Sequence, residues 1–119
     1  MTETRLTAVP GRAEEEPALD GPGGGLPAGA LDRAVDALRG LAYGSRLQIM
    51  TLLRDGEKTP TALAEAIGAH QSAVAHHLRN LVDAGLLRRR RQGRYLFYSL
   101  TDDSTARLID AVMRYAGER

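Results

Sequence analysis

Arg88, Arg89, Arg90 and Arg91 stand in succession, and Arg94 follows directly after Gln92-Gly93. Guanidinium groups at that density bind phosphate-like oxyanions, because each is permanently charged and offers a fixed fork of N–H donors. Upstream, Gln71, Ser72, His76 and Arg79 recur at spacings that bring them onto one face of a helix. Glutamine pairs with adenine edges and arginine with guanine, while serine accepts either base. Together the two groups point to nucleic acid, with Gln71, Ser72, His76 and Arg79 reading bases. Arg88, Arg90, Arg91 and Arg94 are expected to hold the backbone.

Two other chemistries use the same side chains. His70, His76 and His77 suggest a metal, but no two of them are three or four residues apart, the spacing that lets one helix present two ligands. Ser72 and His76 are four apart, as a nucleophile and its base could be. No third group to orient the imidazole is evident and no cofactor motif occurs, so no enzyme is expected.

The elements that position these residues follow from periodicity. Residues 1–27 hold four of the five prolines, a GPGGG run and an EEE block, a composition expected to form a disordered acidic tail. A domain over residues 28–119 follows. Leu31, Val35, Leu38 and Ala42 predict a first amphipathic helix over roughly 28–42. Gly44-Ser45 breaks it, with Ser45 as cap of a second helix that is apolar almost all round through Leu47, Ile49, Met50, Leu52 and Leu53. Thr59-Pro60 reads as N-cap and first-turn proline of a short third helix ending at Gly68. A fourth helix from Gln71 ends at Gly85. Two short helices about a glycine-containing turn are a helix-turn-helix signature.

Leu86 to Arg91 and Arg94 to Leu100 then predict a hairpin about a Gln92-Gly93 turn. In that register Arg91 opposes Arg94, Leu87 opposes Tyr98, and Arg89 opposes Leu96. Arg88 and Arg90 share the other face with Tyr95 and Phe97. A last helix spans roughly 102–117, with Leu108, Ile109, Val112, Met113 and Ala116 apolar. The fold class is mainly α with a β-hairpin wing, a winged helix-turn-helix.

Charge agrees with that assignment. The net charge is +1, yet residues 1–30 hold two basic groups against five acidic, and residues 31–119 hold fourteen against ten. Between residues 69 and 94 six arginines face only Asp83. Such a surface suits a polyanion. There is no cysteine, hence no disulfide or thiolate site, and no long apolar run or charged leader. A cytoplasmic protein without membrane association is expected.

LRGLAYGSRLQIMTLL, LAEAIGAHQSAVAHHLRNLVDAGLL and RRQGRYLFYSL resemble the ArsR/SmtB family of bacterial winged-helix regulators over roughly residues 31–118. The resemblance implies a homodimer built on the first and last helices, through Leu31, Val35, Leu38, Leu108, Val112 and Tyr115. It also implies double-stranded DNA with an imperfect inverted repeat, and often release by a metal ion. AEAIG-x-x-QSAV is most similar to nickel- and cobalt-responsive members, so nickel is the implied metal. The family's ligand positions nevertheless differ here. The soft-metal positions at the third helix carry Thr59 and Thr61, and hydroxyls are poor ligands for soft metals. The site between last helices maps to Asp102, Ser104, Tyr115 and Glu118, keeping both carboxylates and neither imidazole. The expectation is no cofactor, or a weakly held nickel or other divalent ion on Asp102 and Glu118. The plainer reading has Asp102 capping the last helix and Glu118 solvated. Sensing through a co-regulatory protein is the companion expectation. The alternative function is a winged-helix interaction module whose basic face docks an acidic protein.

Overall fold

The computed structural model describes residues 25–117. The chain runs α1 (Ala28–Gly40), α2 (Gly44–Leu53), α3 (Pro60–Ile67), α4 (Gln71–Asp83), β1 (Leu87–Gln92), β2 (Tyr95–Leu100) and α5 (Asp103–Gly117). The element order is the expected one. Apart from residues 25–27, the tail expected over residues 1–27 lies outside the described residues, as does Glu118. Two compact units divide between Arg33 and Ala34, inside α1. The description from here concerns the second.

Its core is assembled from one stripe of each helix. Ile49 and Met50 of α2, Leu63 of α3, Val74, Leu78 and Leu81 of α4, and Ile109 of α5 are fully buried. Full burial of such side chains contributes about 1.5–3 kcal/mol each, enough to fix how α3 and α4 meet. Leu86, Leu87 and Tyr98 extend the core under the wing. Gly40 ends α1 at a close approach: an added Cβ would lie 3.1 Å from both Ala84 Cβ and Leu86 Cδ1. No helix among the described residues is long and apolar enough to cross a membrane.

Local chemistry sets the helix ends. Thr59 Oγ1 accepts from Ala62 N at 3.2 Å, and Pro60 occupies the first turn of α3. Gly68 closes α3 at φ +69°, a left-handed cap that L side chains rarely adopt. At α2 the expected cap is wrong: Ser45 lies inside the helix, and extended Tyr43 is the N-cap, its carbonyl accepting from Leu47 N at 3.0 Å. Ile49, Met50 and Leu53 are buried as expected of an almost wholly apolar helix, and Arg46 is buried with them, 9% of its surface exposed.

The hairpin register also differs. Leu87 pairs with Leu100, Arg89 with Tyr98, Arg91 with Leu96 and Gln92 with Tyr95, so the turn is Gly93-Arg94. Gly93 has φ +62° and among the described residues no other residue type takes positive φ, which puts glycine first in the turn. A Gln92-Gly93 turn would also have set Arg91 directly against Arg94, and opposed like charges are destabilising. The shift is two residues, so the faces are kept: Arg88 and Arg90 still share one with Phe97. Lys58 adds a bridge to the sheet, exchanging backbone hydrogen bonds with Tyr98 at 3.0 and 2.9 Å.

Candidate nucleic-acid interface

Burying Val74, Leu78 and Leu81 turns the opposite side of α4 to solvent. Gln71, Ser72, Ala75, His76 and Arg79 are all exposed there, over an arc of about 140° at about 3.6 residues per turn. All four residues expected to read bases therefore lie on one accessible face. His70 caps α4 by backbone only, with no side-chain hydrogen bond to the first turn. The leading N–H groups of α4 are thus without a side-chain acceptor, an arrangement that favours an anion. His76 is held within its own helix. Asn80 Nδ2 donates to the His76 carbonyl at 3.1 Å and lies 3.2 Å from its Nε2.

His77 points the other way and is half-buried. Its Nδ1 accepts from Arg46 Nε at 3.2 Å, tying α4 to α2. Burial, then the Arg46 charge, then His76 hold this imidazole below the ordinary value. An accepting Nδ1 and a lowered pKa describe the same neutral ring.

The wing is anchored at its base by Thr101, whose N–H donates to Leu86 O at 3.2 Å and whose hydroxyl donates to Gly85 O at 2.9 Å. Arg88, Arg89, Arg90, Arg91 and Arg94 are exposed along it. Arg90 differs from the rest. It makes a two-pronged ion pair with Glu57, with Nε to Oε2 at 3.0 Å, and donates to Gln92 Oε1 at 2.9 Å. Its guanidinium also lies 5.0 Å from the Phe97 ring centroid. This pairing pulls the Glu57 carboxyl below the usual range. Arg88, Arg89, Arg91 and Arg94 have no ion-pair partner among the described residues. Arg89, expected to face Leu96 and left out of the backbone set, is therefore as available as the others. Its place among four consecutive arginines was the signal.

At α5, Asp102 Oδ1 accepts from Thr105 N at 2.9 Å and from Thr105 Oγ1 at 3.1 Å, which caps the helix and lowers the Asp102 pKa. Ser104 Oγ accepts from Arg107 at 3.1 Å. Thr59 is occupied as the α3 cap. No group of three His, Cys, Asp or Glu side chains that could hold a metal is present among the described residues. Asp102 spends one carboxylate oxygen on the α5 cap, and Glu118, the other carboxylate of that family position, lies outside the described residues. Leu108 and Val112 are half-buried on α5, while Val35, Leu38 and Tyr115 are exposed at 37%, 61% and 61%. Leu31 is half-buried on α1.

Comparison with known proteins places this arrangement. The family of bacterial regulatory proteins, arsR family, matches residues 44–89. The HTH-type transcriptional regulator NmtR of Mycobacterium tuberculosis is 43% identical over 95 residues, which cover 80% of this chain and 79% of NmtR. The HTH-type transcriptional repressor SmtB of the same species is 34% identical over 88 residues, covering 74% of this chain and 65% of SmtB. The homodimeric winged helix-turn-helix DNA-binding domain of Mb0332 from Mycobacterium bovis, solved by NMR, superposes with a TM-score of 0.72. It is 35% identical, over 77% of this chain and 85% of that one.

Proposed function

This chain belongs to the arsR family of bacterial regulatory proteins, and from that premise we propose that it is a cytoplasmic homodimer that binds an imperfect inverted repeat in double-stranded DNA and regulates transcription there. One observation carries the reading: α4 presents Gln71, Ser72, His76 and Arg79 on a single exposed arc beside a hairpin whose arginines, Arg90 excepted, have no ion-pair partner among the described residues. In the major groove that arc reads base edges, and Arg88, Arg91 and Arg94 hold phosphates, joined by Arg89. Arg90 serves the wing's shape through Glu57 and reaches DNA only if that pair opens. The apolar side chains of α1 and α5 form the dimer seam, giving two reading helices one DNA turn apart, about 34 Å.

The signal does not arrive through the family's usual metal sets, because Asp102 is a helix cap and Thr59 and Thr61 offer only hydroxyls. A weakly held nickel or other divalent ion, or a sensing partner protein, supplies it instead. If saturating nickel, zinc or cobalt changes neither DNA affinity nor melting temperature, direct metal sensing is excluded.

Footprinting on the chain's own promoter tests the DNA reading. Two protected half-sites should appear on one side of the duplex, centred about 10 base pairs apart. Uniform protection without half-sites would overturn it and favour a basic face that docks an acidic protein.

A further inference from the structure

Arg46 is buried with 9% of its surface exposed, yet it has no carboxylate partner among the described residues. Its orientation is fixed on two sides, by Nε donating to His77 Nδ1 at 3.2 Å and by the Tyr43 ring 4.3 Å beneath the guanidinium carbon. Neither contact uses the two terminal nitrogens. A desolvated guanidinium with idle donors is costly to maintain.

The same residue lines a cleft of about 310 Å³ with Asp36, Arg39, Gly40, Asn80, Asp83 and Ala84. Two cations and two carboxylates thus face one space, and no ion pair joins Asp36 or Asp83 to Arg39 or Arg46. The carboxylates make a DNA phosphate an unsuitable occupant. The cleft also lies at the far end of α4 from Gln71, about 13 Å along the helix at 1.5 Å per residue. Its wall includes the C-terminal ends of α1 (Arg39, Gly40) and α4 (Asp83, Ala84), where the helix dipole favours positive charge.

We infer that this cleft binds a small zwitterion of the α-amino-acid class, its carboxylate on Arg46 and Arg39, its ammonium on Asp83 and Asp36. Such a ligand offers an opposite charge to the cationic pair and to the acidic pair at once, which a simple anion or cation does not. The site rests on the regulator reading for its purpose: an occupant touching Arg46 grips α4 through the residue that holds His77, so it would act as a signal.

The test uses the full chain without DNA. Melting temperature is followed with each of the twenty common free amino acids at millimolar concentration, and with the amide and N-acetyl form of each, which lack one charge. At least one free amino acid should raise it while its amide and its N-acetyl form do not. Arg39→Gln and Asp83→Asn, both exposed on helix surfaces, should each weaken that binding at least tenfold. Their ligand-free melting temperatures should stay within about 4 °C, as surface changes do. No stabilising amino acid, equal stabilisation by the singly charged forms, or full affinity in both variants would overturn the assignment. Because the readout contains no DNA, its failure leaves the DNA-binding reading intact, and failure to bind a promoter leaves the cleft untouched.

Discussion

At the scale of the residue, the interface divides side chains by what they can discriminate. Gln71 and Arg79 present planar side chains that can pair bidentately on the exposed arc of α4, the amide by donating and accepting and the guanidinium by donating twice, and such pairs distinguish one base from another. Gln71→Ala or Arg79→Ala should cost about 1–3 kcal/mol on the promoter and relax preference at one base position. Arg91 and Arg94 offer charge without a carboxylate partner among the described residues. Replacing either should weaken promoter and scrambled duplex alike, and flatten the plot of log affinity against log salt by about one unit. Arg90→Ala should change the slope less, since Glu57 already neutralises that charge. Anisotropy titrations at several salt concentrations read all three effects. An unchanged slope for Arg91→Ala would remove the wing from the interface.

At the scale of the element, the clasp between Arg46 on α2 and His77 on α4 sets how the reading helix is held, and it titrates. The folded pKa of His77 lies below its ordinary 6.5, so the unfolded chain takes up that proton at higher pH than the folded chain. The clasp's stability is therefore complete above about 6.5 and is lost as pH falls from there through the folded value. Glu57, Asp102 and Asp110 are shifted below ordinary values of 4.5, 3.8 and 3.8, so their contributions persist until more acidic conditions. Melting temperature should decline as pH falls below about 6.5, and His77→Gln should flatten that decline. An identical decline in the variant would mean the clasp does not titrate there. The clasp was invisible in the sequence because its members are 31 positions apart. Thr59-Pro60 and Gly68 were legible because a cap acts within one turn. The hairpin was legible as a hairpin, but its register was not. Gly93 suits either turn position, and the choice depends on cross-strand neighbours such as Arg91 and Leu96.

At the scale of the whole molecule, Val35 and Leu38 of the first helix and Met113 and Tyr115 of the last are more than a third exposed in the single chain. The chain should sediment at twice its 12.8 kDa, and Leu38→Glu should yield monomers that lose most of their DNA affinity. The order of elements and the exposed face of α4 could be read from the sequence, because helical periodicity alone assigns Val74, Leu78 and Leu81 inward and Gln71, Ser72, His76 and Arg79 outward. The status of Arg90 and Asp102 could not, because each depends on a three-dimensional partner, Glu57 in one case and the folded first turn of α5 in the other. The most direct test of the regulator reading is anisotropy of the full chain on its own promoter against scrambled duplex of equal length, across a salt series. The promoter should bind about a thousandfold more tightly or better at physiological salt, with the preference persisting as salt rises. Equal affinity for both duplexes at every salt concentration would contradict sequence-specific binding.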